Sequence, residues 1–364
     1  MLPAAPGGVL RRAGRRPGDY RGPAMRALML HGPGDLRLEE VPHPAPGPGE
    51  IVVRPEAALT CATDAKMLRA GAHPALGPLP APLGHELAGT VAAVGDGVAW
   101  PRPGDRVVVA NSAPCGACPR CLEARPNLCE RIVYLTGAFA ELVLVPAAIV
   151  RRNVIALPDG LAPEPAAMTE PLACAVHAAG RVEAGPGATV LVLGGGVQGQ
   201  FMTALLARRG CRVLVADPHP ERRERALRFG AAGALEAPRD EAAVARARRA
   251  TPGGRGADAV VEAVGRSETW RIAAALARPG GEVLLHGGCP AGSEVALPTG
   301  PLHYEELTLR GSYHHSPSAV REALSLLAGG ALPAAELLGA PVGLAEVPAL
   351  LATAPGEKRP VRLH

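Results

Sequence analysis

Thr189-Val-Leu-Val-Leu-Gly194-Gly-Gly196-Val-Gln-Gly199-Gln-Phe-Met is five apolar or β-branched residues running straight into a glycine-rich turn and then into a helix-like stretch, Gln200 to Arg209. A buried strand, a tight turn and a helix in that order form a phosphate cradle. Gly194 permits the turn, Gly196 lets a pyrophosphate approach the backbone, and Gly199 lets helix and strand pack closely. Val197 lies in the same turn, ahead of a helix N-terminus that offers free N–H groups to the phosphates. The spacing is answered downstream. The next strand-like run, Cys211 to Ala216, ends at Asp217, 18 residues after Gly199, where an acid accepts hydrogen bonds from ribose hydroxyls. A carboxylate there repels a 2′-phosphate and favours NAD. Arg222 and Arg223 nearby weaken that preference and keep NADP open, but their expected role is a solvated helix face.

Working outward, the alternation of strand and helix continues through a helix from about Pro220 to Phe229 and strands at Ala259–Glu262 and Glu282–His286. That pattern predicts a parallel, doubly wound α/β sheet. Upstream the period is two rather than 3.6. Arg26–Leu30, Leu36–Leu38, Ile51–Val53, Thr90–Val94 and Arg106–Val109 are short strands separated by Pro/Gly turns, which predicts a small closed or nearly closed antiparallel barrel. Beyond Gly311 an amphipathic helix, Ala319 to Leu327, leads into a C-terminal stretch expected to rejoin the first half. The expected division is 25–167 with 316–364 for one domain and 168–315 for the other. Residues 1–24, rich in Pro, Gly and Arg, read as a disordered tail or an over-extended start ahead of Met25.

Cys115, Cys118, Cys121 and Cys129 lie in one polar loop with two, two and seven residues between them. Four thiols at that density point to a tetrathiolate metal site, with zinc the usual occupant and an iron–sulfur cluster the rival. A fully protein-ligated ion braces a loop and does no chemistry. A second, mixed set is scattered: Cys61 in Cys61-Ala-Thr63-Asp64, His85 and Glu86 in Gly84-His85-Glu86, and Glu170 in Glu170-Pro-Leu172. Thiolate, imidazole and carboxylate from distant segments suit a catalytic zinc with one open position.

Composition narrows the classes further. The chain has 364 residues, 48% hydrophobic content and a net charge of +4. The charge is modest and mixed, with no basic stripe interleaved with aromatics, which argues against a nucleic-acid or membrane-surface protein. No apolar run approaches a membrane span. Cysteines clustered for metal rather than paired for disulfides suit a reducing compartment, so a cytoplasmic location is expected.

Taken in order, Cys61-Ala-Thr63-Asp64, Gly84-His85-Glu86, the four-cysteine loop, Gly137-Ala-Phe-Ala140, Glu170-Pro-Leu172 and Gly194–Gly199 resemble the zinc-dependent medium-chain dehydrogenase/reductase family of alcohol, polyol and threonine dehydrogenases. The resemblance implies a GroES-like barrel carrying a catalytic zinc, a Rossmann domain for NAD, and two zinc ions per chain, one catalytic and one structural. It implies hydride transfer between a secondary alcohol or polyol and NAD. The alternatives are an NADP-linked aldehyde or ketone reductase and a non-catalytic nucleotide-binding protein. Cys61 and His85 match the catalytic ligands, Glu86 or Glu170 the third, and Asp64 the acid that steadies the histidine. Thr63 matches the hydroxyl that passes a proton, and Lys66 stands where many members carry the outer histidine of that relay. Gly287 and Gly311 match positions where backbone approaches the nicotinamide. Ala62 replaces a glycine, so a positive backbone angle there would be strained. Family members are homodimers or homotetramers, and the same is expected here.

Overall fold

The computed structural model describes residues 23–353 and 357–363. The expectation for residues 1–24 falls almost wholly outside that range. Ala24, its last residue, already opens a strand one position ahead of Met25. In chain order the first ten strands are β1 (Ala24–Gly32), β2 (Asp35–Pro42), β3 (Ile51–Leu59), β4 (Ala81–Pro82), β5 (Glu86–Val94), β6 (Arg106–Val109), β7 (Ser112–Ala113), β8 (Val133–Tyr134), β9 (Val143–Val145) and β10 (Val154–Ala156). The next six are β11 (Thr189–Leu193), β12 (Arg212–Ala216), β13 (Gly233–Leu235), β14 (Ala257–Glu262), β15 (Ala277–Leu285) and β16 (Thr308–Gly311), and β17 (Val342–Gly343) and β18 (Pro360–Arg362) end the chain. The described residues form two compact units, one running to Pro171 and resuming at Ser316, the other spanning Leu172–His315. The division falls inside the helix Thr169–Ala179, four residues later than the expected 168.

In the first unit β3 and β5 pair antiparallel along most of their length, because each places apolar side chains on a common inner face. Pairing continues in the order β10-β6-β5-β3-β18-β17, with β9 also on β3. Among the described residues the ring does not close. Strands β10 and β17 end the path, and β2-β1-β4 form a separate small sheet. The pair β17–β18 is parallel, a departure from the antiparallel expectation, since the connection between them passes through the helix Val347–Ala352 and returns in the same direction. Leu28, Ile51, Leu83, Leu87, Phe139 and Ile149 are fully buried in the core this creates. Among the described residues no helix is long and apolar enough to cross a membrane.

The second unit is a six-stranded parallel sheet in the order β13-β12-β11-β14-β15-β16. All five residues of β11 are buried, as a strand in the middle of a parallel sheet covered on both faces requires. The order reverses between β11 and its two neighbours, β12 and β14, which places a ligand crevice at the carboxyl ends of these strands. The helix after β11 spans Val197–Arg208, beginning three residues before the expected Gln200 because Gly196 is already its N-cap. Strand β15 starts at Ala277 and ends at Leu285, so His286 lies just beyond it.

The close packing of that helix on the sheet hinges on Gly199, where a Cβ atom would lie 1.8 Å from the carbonyl oxygen of Gly194. Backbone cannot yield there without moving the turn. Gly199→Ala is therefore expected to cost about 2 kcal/mol through overpacking and to lower the melting temperature by roughly 5 °C, read by scanning calorimetry. A melting temperature equal to that of the parent would remove the steric argument.

Candidate functional site

In the first unit Cys61 follows β3 and caps the helix Ala62–Ala70. Its Sγ accepts the N–H of Thr63 at 3.5 Å, and Asp64 Oδ2 returns the favour by accepting the N–H of Cys61 at 3.0 Å. This reciprocal capping box ties up two N–H groups that a helix start leaves orphaned. Ala62 is the first helical residue and is absent from the positive-φ positions, so the strain foreseen for it does not arise.

His85 immediately precedes β5. Gly84 before it has φ 92°, and a Cβ there would sit 2.7 Å from the Phe139 nitrogen. The Gly84 carbonyl accepts N–H bonds from Gly137 and Ala138 at 2.8 and 3.0 Å, so the Gly137–Ala140 stretch is the wall that fixes the histidine's backbone. The imidazole Nδ1 lies 2.8 Å from Asp64 Oδ1. A carboxylate only accepts, so Nδ1 carries a proton and donates it to Asp64, which turns Nε2 toward Glu86. Nε2 is 3.8 Å from Glu86 Oε1, and the ligating atoms of Cys61, His85 and Glu86 all lie within 4.8 Å of one another.

Glu86 is fully buried. Its Oε1 accepts from Lys358 Nζ, while Oε2 has no protein partner. Lys358, 5% exposed, had no place in the sequence reading. It reaches the site because β18 pairs with β3, bringing Pro360 opposite Leu59. The available signal was scarcity: Lys66 and Lys358 are the only lysines of the chain. Burial pulls the Lys358 amine down, but the Cys61 and Glu86 negative charges outweigh it and hold the ammonium charged. Burial likewise pushes the Cys61 thiol up, yet Lys358 and His85 overcome this and bring it down to about 6. Burial opposes charge on His85, and Asp64 reverses that, raising it well above the ordinary value.

Glu170, 7% exposed, stands outside the three-residue set, though its charge also acts on Lys358. Thr63 is half-buried in the first turn of the Ala62–Ala70 helix, and Lys66 lies exposed on the same helix. His73, which sequence reasoning passed over, is near enough for the charges of His85, Asp64 and Lys66 to act on it. Burial first, then His85, holds it below the ordinary imidazole range. The set fits a zinc ion: sulfur, nitrogen and oxygen donors converge, one carboxylate oxygen is buried without a partner, and three protein ligands leave a position for substrate.

The four loop cysteines also converge. Their sulfurs lie within 4.8 Å of one another, with Cys118–Cys121 at 3.5, Cys118–Cys129 at 3.8 and Cys115–Cys121 at 4.0 Å. A tetrahedron with arms of about 2.3 Å has edges of about 3.8 Å, so the spacing suits one ion rather than a multi-iron cluster. Backbone N–H groups of Ala117 and Cys118 point at Cys115 Sγ, at 3.4 and 3.3 Å, and bring its thiol down to about 6 against the pull of burial. Burial pushes Cys129 up to about 12.

In the second unit Gly194 has φ 102° and Gly196 caps the helix, leaving the first N–H groups at the carboxyl end of β11. Val197 and Gly199 occupy the first turn. Asp217 immediately follows β12, 2% exposed, with Oδ2 accepting the Gly195 N–H at 2.7 Å and Oδ1 that of His219 at 2.9 Å. Arg222 Nη1 is 3.7 Å from the same carboxylate, and Arg223 donates to the Asp217 carbonyl instead. Gly287 is demanded by the protein's own backbone, since a Cβ there would meet the Gly265 nitrogen at 2.2 Å, while Gly311 faces open space. The turn and the acid fit a dinucleotide: backbone donors for phosphate, a fixed carboxylate for ribose hydroxyls.

Two family models match the chain: an alcohol dehydrogenase GroES-like domain over residues 47–159 and a zinc-binding dehydrogenase over residues 198–329. L-galactonate-5-dehydrogenase of Escherichia coli is 31% identical over 86% of this chain and 90% of its own length. Sorbitol dehydrogenase of Bacillus subtilis is 30% identical over 84% and 86%. A crystal structure of a zinc-binding dehydrogenase from Sinorhizobium meliloti, bound to NADP, superposes with a TM-score of 0.84 at 31% identity, covering 93% of this chain and 99% of that one. With two domain models in order and full-length relatives at this identity, the chain belongs to the zinc-containing medium-chain alcohol/polyol dehydrogenase family.

Proposed function

We propose that this dehydrogenase moves a hydride between a secondary alcohol or polyol, such as a sugar alcohol, cyclitol or hydroxy amino acid, and NAD. The observation that carries the reading is the convergence of Cys61, His85 and Glu86, with Asp64 and Lys358 behind them. Zinc bound by these residues would supply a Lewis acid for the substrate oxygen. Asp64 holds the His85 Nδ1 proton and so turns Nε2 toward Glu86, and Lys358 pairs with Glu86 against the burial that raises its carboxyl well above the ordinary carboxylate range. Glu170 is assigned as the exchangeable ligand that alternates with Glu86. Thr63 takes the alcohol's proton from the site, with Lys66 or His73 receiving it at the outer end. Relatives acting on sorbitol and galactonate support a polyhydroxylated substrate.

Asp217 favours NAD, because a 2′-phosphate would meet a buried carboxylate whose two oxygens are held in place by backbone N–H groups. A second reading, the NADP-linked reductase, has Arg222 and the NADP-bound relative on its side. A panel of polyols, cyclitols and simple secondary alcohols, followed by NADH absorbance, is expected to give a kcat/KM at least tenfold higher with NAD than with NADP. A marked preference for NADP would transfer the assignment to the reductase.

Metal analysis addresses the centre itself. The parent protein is expected to hold two zinc ions per chain. Lys358→Met leaves the buried Glu86 without its cation, which should weaken zinc binding roughly 10- to 100-fold and leave one ion per chain after dialysis against a mild chelator. Retention of both ions under the same conditions would show that Lys358 does not support the ligand set.

The proton route is separable. With Lys66 as the acceptor, Lys66→Ala flattens the pH dependence of turnover while zinc content stays at two. An unchanged profile would eliminate Lys66 and leave His73 as the group to replace.

A further inference from the structure

At the carboxyl edge of the second unit's sheet, three neighbouring strands each end in a buried polar atom without a protein partner: Glu262 Oε2 after β14, His286 Nδ1 after β15 and Ser312 Oγ after β16. Register places them in a row. Glu262 pairs with Leu285, Leu285 pairs with Gly311, and the Ser312 N–H reaches the Leu285 carbonyl at 3.0 Å. A buried polar atom left unpaired is costly, and several along one edge mark a place that something else completes.

His286 is the most defined of the three. Its Nε2 lies 2.9 Å from Gln198 Oε1, on the first turn of the helix Val197–Arg208. An amide oxygen only accepts, so Nε2 carries the proton and Nδ1 is left as an acceptor. Burial, and then the nearby His177, bring the imidazole down to about 4, so the ring is neutral at physiological pH. The ring as a whole is half-buried, and Nδ1 is the ring atom left enclosed without a protein partner. Gln198 and His286 therefore tie the phosphate-binding helix to β15 across the end of β14.

The ligand follows from topology. Asp217 at the end of β12 takes the adenosine ribose, and the pyrophosphate sits at the turn after β11, so the other nucleotide lies over β14, β15 and β16. We propose that His286, fixed by Gln198, positions the pyridine carboxamide ring of the bound dinucleotide, its Nδ1 accepting from the amide N–H. The proposal rests on the dinucleotide reading given above and assigns two side chains to the half of the cofactor that reacts.

NADH and ADP-ribose differ by the pyridine ring, so comparing them isolates the claim. Binding of NADH by fluorescence and of ADP-ribose by calorimetry is measured for the holoenzyme and for His286→Val, Gln198→Leu and the double variant. The dissociation constant for NADH is expected to rise roughly five- to tenfold in each single variant and no further in the double, because the pair acts as a unit. ADP-ribose binding stays unchanged. Equal weakening of both ligands, or an unchanged NADH constant, overturns the proposal. Gln198→Leu decides alone should His286→Val fail to fold. A parent protein that binds neither ligand overturns the dinucleotide reading itself, and this assignment with it.

Discussion

One carboxylate joins the fold of the first unit to its chemistry. Asp64 Oδ2 closes the capping box at the start of the Ala62–Ala70 helix, and Oδ1 holds the proton of His85 Nδ1. The same side chain thus fixes where the helix begins after β3 and which nitrogen of the histidine faces the sulfur. Neither oxygen is replaceable by water, because Asp64 is fully buried. A buried carboxylate is tolerated only where its hydrogen bonds are satisfied, and here they are satisfied by the two residues whose placement matters most. Local stability and ligand geometry are therefore one constraint.

Charge balance extends that constraint across the chain. Cys61 as thiolate, Asp64 and Glu86 place negative charge in an enclosed space, and Lys358 is the buried cation set against it. The cost of taking these groups out of water falls when they meet one another at hydrogen-bond distance, and falls again when a divalent ion enters. Oε2 of Glu86, without a partner, marks where that account is still open. The C-terminal strand β18 therefore serves the site as well as the sheet: its pairing with β3 brings in the cation that meets Glu86.

What was legible in the sequence was local. The glycine turn could be read because its spacing lies within six residues, and at Gly199 the demand is local, a Cβ there lying 1.8 Å from the Gly194 carbonyl oxygen. The four-cysteine loop was legible because its ligands lie within one short segment. Lys358 was not, since its partner Glu86 is 272 residues away and nothing in the flanking residues signals the contact. The closed or nearly closed barrel expected from the strand spacing is met as an open pairing path. Strand positions follow from alternation, but whether the ends of the pairing path meet depends on long-range register that alternation does not encode. Likewise His73 carries no motif, and only the path of the chain after the Ala62–Ala70 helix brings it under the influence of His85.

The second unit shows how a generic scaffold acquires particular chemistry. The order of its six strands dictates where phosphate and ribose go, and any chain with this topology and turn would share that much. The residues just past the strand ends are under no such dictation, because they leave the sheet and pack on nothing repeated. Glu262, His286 and Ser312 are polar there, in a layer that could have been filled by apolar side chains at less cost. Glu262 is partly engaged, its Oε1 accepting from the Val264 and Gly265 N–H groups and the Thr269 hydroxyl, which moulds the loop after β14. With one oxygen committed to the loop and the other unpaired, the carboxyl sits on the boundary between fold and site. The Gln198–His286 link occupies the same boundary one strand over, and it joins the first turn of the helix Val197–Arg208 to the end of β15. Polar groups retained at that boundary against the cost of burial are what distinguishes these strand ends from the apolar strands they follow.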